Sequence, residues 1–426
     1  MTKQAKLAGS ANSLALNFSD VFAGCGGLSL GLTNAGWRGC FAIEKNSEAF
    51  GTLKANLIAG RRRRFNWPDW LPQEAISTKG LLEGYRTQLE HLKGTVTLLA
   101  GGPPCQGFSL AGRRTHADPR NSLVNDYIEI VSILKPRFLV IENVQGFQLP
   151  FKKNVDDGKG DIPYSQRVRA QLEGIGYRVF TELVDLSGFG VPQTRRRFIL
   201  IAIRNDDVAL VKLGERTPFD LLRGQRKHFL AGKKLPTSRP VTVKEAIGDL
   251  EISGKQLEEN KETKFKGFTQ ICYHTGTSKS PFVKLMRKQA PKMLNSLRLP
   301  RHNNTTIGQF ERIMATCKPG QTIGDIDRKR LGIKKQALTP LAANAPAATI
   351  TTLPDDIVHY SEPRILTVRE NARIQTFPDW FKFTGKYTTG GKARKNDCPR
   401  YTQVGNAVPP LFAEALGRVL KYLASA

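Results

Sequence analysis

The first 205 residues carry a rhythm that few folds can satisfy. Short apolar runs recur, and most end at a glycine turn or an acid. "LNFSDVF" (16–22) ends at a glycine-rich turn, "GCFAIE" (39–44) at an acid, "TVTLLAGG" (95–102) at a cysteine turn and "RFLVIENV" (137–144) at another acid. "YRVFTELVD" (177–185) and "RRFILIAIR" (196–204) follow, and helical patterns such as "LVNDYIEIVSILK" (123–135) lie between several of the runs. Near-continuous apolar strands alternating with helices predict an α/β fold with a mostly parallel sheet covered on both faces. Ligands of such sheets bind beyond the carboxyl ends of the strands. Gly24, Glu44, Cys105 and Glu142 all fall there.

The rhythm stops near residue 205. The segment to about 345 is polar, basic and reads as irregular, with loop-like pieces such as "AGKKLPTSRP" and "LRLPRHNNTT". Order returns at "RILTVRENARIQTFPDW" (364–380) and "YTQVGNAVPPLFAEALGRVL" (401–420); the latter reads as a loop and then a helix, Leu411–Leu423. Residues 1–13 read as a disordered tail. A chain of 426 residues suits two or three domains.

Charge narrows the partner. Lys plus Arg number 65 against 37 Asp plus Glu, a net +28, which is the electrostatic footprint of a protein that meets a polyanion, most often nucleic acid. No apolar run approaches the roughly 20 residues of a membrane span, and the first residues lack a secretion signal. A soluble cytoplasmic protein is expected. The six cysteines are scattered, without a CxxC pair, so neither a zinc site nor a disulfide framework is expected, and no metal.

Four stretches carry chemistry. In "DVFAGCGGLSLGL" (20–32) a strand meets Gly24-x-Gly26-Gly27 and then a helix; glycines let the backbone turn tightly and approach a ligand. Ser29 stands where a GxGxxG motif would have its last glycine. Glu44 ends the next strand, where an acid can accept hydrogen bonds from the ribose hydroxyls of an adenosine cofactor. In "GGPPCQGFS" (101–109) the two prolines stiffen the turn into Cys105, and a thiolate is a nucleophile. In "IENV" (141–144) Glu142 can act as a proton donor if burial raises its pKa; taken alone it reads more readily as a surface acid or a cap. In "VPQTRRRF" (191–198) alternation along a strand puts Arg195 and Arg197 on one face and Arg196 on the other, which suits an anion or a base oxygen, or else a solvated basic edge.

Taken together and in order, "FAGCGG", "GGPPCQGFS", "DPRNSL", "ENV", "QTRRR", "RILTVRENARIQTFPD" and "QVGNAVPP" resemble the cytosine-C5 DNA methyltransferases, of the bacterial type II restriction-modification kind. The resemblance covers about 1–205 and 360–420. It implies a Rossmann-like, S-adenosylmethionine-dependent methyltransferase domain over 1–204, completed by 400–426. A smaller irregular target-recognition domain and hinge would span 205–399.

The resemblance also implies roles. Cytosine C5 is a poor nucleophile, and the family answers with covalent catalysis. Cys105 would attack C6 of a cytosine flipped out of the duplex, and C5 would take the methyl group from S-adenosylmethionine. Glu142 would hydrogen-bond N3 and the exocyclic amine. Of Arg195 and Arg197, one would bind the cytosine O2 and the other would help hold Cys105, the acid or the DNA backbone. The loop 106–122 would close over the base, with Gln106, Ser109, Arg113 and Arg114 meeting DNA. Phe22, Gly24, Cys25, Gly27 and Glu44 match the cofactor motif, Pro104 and Leu123 would line the methionine and adenine sides, and Asn406 and Val408 would complete the pocket. One departure stands out: the family's third-strand aspartate, which meets the adenine amine, has no clear equivalent in 69–85, where Glu74 is a candidate. The Arg61–Arg64 run would touch phosphates or form a solvated patch.

The implied partner is double-stranded DNA, met by a monomer associated with the nucleoid. A cognate restriction endonuclease could share the target site without forming a stable complex. A tRNA cytosine-C5 methyltransferase and a catalytically silent DNA-binding homologue share parts of this pattern. The long basic insertion argues against the first, and the intact Cys105 and Glu142 against the second.

Overall fold

The computed structural model describes residues 16–59, 63–104, 122–150, 162–263, 265–273, 278–388 and 397–425. Cys105, Gln106, Ser109, Arg113, Arg114, the tail 1–13 and most of the 106–122 loop lie outside the described residues.

All six apolar runs form strands of one sheet: β1 (Asn17–Val21), β2 (Arg38–Ile43), β3 (Leu98–Gly101), β4 (Phe138–Val144), β5 (Tyr177–Asp185) and β6 (Arg196–Arg204). The order is β2-β1-β3-β4-β6-β5. β1 pairs in parallel with β2 and β3, and β3 with β4. β6 alone runs the other way, antiparallel to both neighbours. After β5 the chain turns tightly through Leu186–Phe189 and Gly190, whose φ of +80° closes the turn. A hairpin needs no crossover helix, which is why no helical pattern separates these two runs.

Both faces of the sheet are covered. Leu98, Ala100, Phe138, Val140, Ile199 and Ile201 belong to one core; Leu99, Leu139, Ile141, Phe198 and Leu200 belong to the other. Alternate residues of each strand are thus buried on opposite sides, so apolar residues follow one another without polar interruption. One face carries helix α1 (Gly27–Asn34) and the last helix, Pro410–Ala424. The indole of Trp37, just after α1, donates to the Gly417 carbonyl at 2.8 Å and so ties the two ends of the sequence together.

The segment after residue 205 is more regular than its polarity suggested. Helix Pro218–Gly232 begins with Thr217, whose side chain caps the Asp220 amide while the Asp220 carboxylate accepts from the Thr217 amide. This reciprocal cap and Pro218 at the first turn are local start signals. Phe219, Leu222, Phe229 and Leu230 of this helix join the main core. Beyond it, two smaller apolar clusters form, one around Leu250, Ile271, Leu294 and Leu297, the other around Phe310, Ile313, Ile323 and Leu338.

Candidate active site

At the switch between β1 and α1 the backbone is left-handed three times: Phe22 at φ +63°, Gly24 at +56° and Gly26 at +93°. Such a turn is strained for Phe22 and free for the glycines. Glu44, just past β2, braces it. Its Oε2 accepts from the Gly24 amide at 3.0 Å and its Oε1 from the Asn46 amide at 2.7 Å. Burial raises the Glu44 pKa, and these two amides oppose the shift. Each oxygen keeps a further lone pair, and the residue is half-buried, so a vicinal diol can still bind.

Beneath this turn a second acid is buried. Asp20, in β1, accepts from the Ser29 hydroxyl at 2.5 Å. Burial pushes its pKa up to about 7; Ser29 lowers it and the Glu44 charge adds to the rise. The serine that replaces the last glycine of a GxGxxG pattern therefore holds a buried carboxyl group.

The far end of the chain closes the same turn. A Cβ on Gly27 would stand 2.3 Å from the Val408 carbonyl, so glycine alone permits this approach. The Cys25 thiol donates to the Gln403 carbonyl at 3.4 Å; burial pushes it far up, which keeps it protonated. Phe22, Pro104 and Leu123 are half-buried and Asn406 is exposed. Near this wall the Ile76 amide donates to the Glu44 carbonyl at 3.0 Å, and Glu74, the candidate third-strand acid, is exposed. Of the 61–64 arginines, Arg64 uses its amide on Leu57 and its carbonyl on Gly39.

The second half of the site lies at the ends of β3 and β4. A Cβ on Gly102 would stand 3.6 Å from Glu142 Oε2, so the carboxylate lies beside the turn that leads to Cys105. Asn143, buried, donates from Nδ2 to the Pro103 carbonyl at 3.2 Å and accepts the Val144 amide at 2.7 Å. It holds the approach to the cysteine against β4. Sequence reading passed over Asn143 although "ENV" contains it; only the sheet shows that its amide reaches the neighbouring strand's turn.

The arginines separate. Arg197 Nε stands 3.0 Å from Glu142 Oε1, with both side chains largely buried. That oxygen has no aligned hydrogen bond among the described residues. Burial lowers the Arg197 pKa and the Glu142 charge opposes the shift. Arg195 goes elsewhere. Only 2% exposed, it donates to the carbonyls of Ile350 (3.0 Å), Gly405 (3.1 Å) and Ala407 (3.3 Å). Of the two arginines, expected to bind the cytosine O2 and to hold Cys105, the acid or the DNA backbone, Arg197 meets the acid and Arg195 clamps three backbone segments. Gln193 works beside it, accepting the Ile350 amide at 3.0 Å and donating to Gln375 at 2.8 Å. Gln375 in turn donates to the Val404 carbonyl at 2.7 Å. Neither glutamine was singled out from sequence.

Against this geometry stand the comparisons. The model of the C-5 cytosine-specific DNA methylase family matches residues 16–422. The chain is 28% identical to the Type II methyltransferase M.DdeI of Desulfomicrobium norvegicum, over 96% of this chain and 89% of that one. It is 31% identical to the Type II methyltransferase M.XorII of Xanthomonas oryzae pv. oryzae, over 95% and 84%. Among solved structures, a DNA modification methyltransferase encoded within an E. coli prophage shares the fold with a TM-score of 0.63 at 24% identity, over 96% and 99% of the two chains.

Proposed function

This chain belongs to the C-5 cytosine-specific DNA methylases and is a DNA (cytosine-5-)-methyltransferase, and on that premise we propose that it methylates a cytosine flipped out of a specific duplex sequence, through a covalent bond from Cys105 to C6. The observation that supports this reading best is the Arg197–Glu142 ion pair at 3.0 Å, set beside the turn into Cys105 on the same sheet edge as the Glu44-braced glycine turn. A carboxyl group fixed at that point can hold N3 and the exocyclic amine of a cytosine. Arg197 orients it and takes the cytosine O2. Asn143 fixes the Pro103 carbonyl and with it the approach of the nucleophile.

The other half of the site fits S-adenosylmethionine. Glu44 offers lone pairs to the ribose hydroxyls, Phe22 and Leu123 offer apolar surface to the purine, Pro104 lies toward the methionine side, and Gly24, Cys25, Gly27, Asn406 and Val408 build the wall. When bound, this cofactor supplies an electrophilic methyl group. The protein's part is to hold it and the cytosine in line and to exclude water. Gln106, Ser109, Arg113 and Arg114 are the proposed DNA contacts of the loop after the nucleophile.

We take the biological setting to be bacterial restriction-modification, with a monomer acting on DNA in the cytoplasm and an endonuclease that shares its target. The test uses radiolabelled S-adenosylmethionine with duplex DNA or tRNA, beside Cys105→Ala. Label on DNA that the variant fails to transfer is expected; label on tRNA alone, or equal labelling by the variant, would overturn the reading. DNA carrying 5-fluorocytosine should trap the adduct, because the C5 proton cannot leave.

A further inference from the structure

Charged side chains withdrawn from water are normally paired. Most inward-turned arginines of this protein obey. Arg137 reaches Asp207, Arg364 reaches Glu370, and Arg373 reaches Asp379. Arg195 and Arg369 spend their donors on backbone carbonyls. Arg298 does neither. It is half-buried, yet it has no hydrogen bond or ion pair among the described residues, and the same holds for its exposed neighbour Arg301.

What holds Arg298 is a pair of aromatic rings. Its guanidinium carbon lies 4.1 Å from the centroid of Phe268 and 3.9 Å from that of Tyr387. Arg301 stands over Phe268 at 5.5 Å, and Arg400 over Tyr387 at 4.2 Å. Cations and rings therefore alternate from Arg301 through Phe268, Arg298 and Tyr387 to Arg400. Stacking takes the faces of a guanidinium and leaves the N–H donors at its edge.

The frame around this stack is fixed. The Leu299 amide donates to the Thr269 carbonyl at 2.8 Å, which holds the Arg298 segment against that of Phe268. The Glu262 carboxylate accepts from the Ser296 amide (2.7 Å), the Asn295 side chain (2.8 Å), the Tyr387 hydroxyl (3.0 Å) and Arg400. Glu262 thereby pairs with Arg400 at one end of the stack; its charge is felt at Arg298, opposed there by that of Arg400, but among the described residues no carboxylate forms an ion pair with Arg298 or Arg301. Lys261 and Lys266 lie in the turn between the paired strands Leu257–Glu259 and Thr269–Ile271, just before Phe268; they are exposed and add positive charge. A planar fork, pre-oriented and unpaired in a basic surround, matches two oxygens of a phosphate.

We propose that Arg298 and Arg301 form a clamp for a backbone phosphate of duplex DNA, with Arg298 held edge-on between Phe268 and Tyr387. The proposal rests on the reading that this chain binds duplex DNA. The stack ends at Arg400, the first residue of the helix Arg400–Asn406 that closes the cofactor turn through Gln403. The grip on the duplex and the wall of the cofactor pocket therefore share one frame.

Fluorescence anisotropy tests this with the full chain and labelled duplexes of several unrelated sequences, over a series of salt concentrations. Arg298→Ala and Arg301→Ala should each weaken binding about tenfold, equally for all sequences. Each should lower the slope of log K against log salt by roughly 0.9, the signature of one lost phosphate contact. Arg298→Lys should keep the slope and lose affinity, because the charge survives and the fork does not. Wild-type slope and affinity in both alanine variants would overturn the clamp. So would a loss confined to one sequence with an unchanged slope, which would mean a base edge instead of a phosphate. Arg301 is exposed and its variant should fold, as unchanged affinity for S-adenosylhomocysteine would verify. A wild-type protein that binds tRNA and no duplex would instead sink the functional reading beneath the proposal.

Discussion

Arg197 reaches Glu142 at 3.0 Å because β6 runs against β4. Arg197 pairs opposite Val144, two residues past Glu142, so a residue at the start of one strand meets a residue near the end of its neighbour. In a wholly parallel sheet the same arginine would lie at the opposite edge, one strand length from the reacting groups. The hairpin between β5 and β6 thus places a cation at the ligand edge, where parallel strands deliver only their carboxyl ends.

Removing either partner should cost chemistry more than binding. Arg197→Ala and Glu142→Gln are each expected to lower kcat/KM about 100-fold or more, the usual scale for a general acid–base group or its orienting partner. Affinity for S-adenosylhomocysteine, measured by titration calorimetry, should stay within about twofold, since neither residue touches the Glu44 side of the cleft.

Arg195→Ala should behave differently. It leaves the carbonyls of Ile350, Gly405 and Ala407 without their shared donor. A loss of about 3 kcal/mol in urea unfolding is expected, with the midpoint lowered and the slope unchanged. Wild-type stability combined with a dead enzyme would assign Arg195 to the reacting groups instead.

Gly27→Ala puts a methyl group 2.3 Å from the Val408 carbonyl. The turn and the 407–408 segment must part, at about 1–3 kcal/mol. Calorimetry should show at least about tenfold weaker binding of S-adenosylhomocysteine. An unchanged affinity would remove Gly27 and Val408 from the cofactor wall.

Asp20 makes stability depend on pH. Its folded pKa is raised to about 7 from an ordinary value of 3.8, so between these values the folded state binds the proton that the unfolded state has lost. This contribution is fully present below about pH 4 and is lost as pH rises through about 7. The melting temperature of Asp20→Asn, which keeps an acceptor for Ser29, should therefore decline less over this range than that of the wild type. Parallel melting curves of Tm against pH for the two proteins would refute the assignment.

Much of the site was legible because its parts are local. A strand that ends at glycines, two prolines before a cysteine and an acid at a strand end are short-range patterns; the glycine turn, Pro103-Pro104 and Glu142 fell at the predicted sheet edge, while Cys105 itself lies outside the described residues. What was not legible is long-range. Asn143 looks like any residue of "IENV" until β3 and β4 lie side by side. The 205–250 segment looked irregular because its core residues, such as Phe219, Leu222, Phe229 and Leu230, are spread among charges, and the local helix signals, the Thr217–Asp220 and Thr242–Glu245 caps, are short.

The linear chain by itself determined the strands, the two-faced burial of the sheet and the family, since apolar periodicity and turn residues act over a few positions. The tertiary structure alone decided the division of labour between Arg195 and Arg197. Both arginines are turned inward, Arg195 just before β6 and Arg197 near its start, and local sequence treats them alike. Their partners come from β4 and from residues 350, 405 and 407, some 155 to 212 positions away. A buried guanidinium takes whichever acceptors the fold brings within reach, and that depends on the packing of the whole chain.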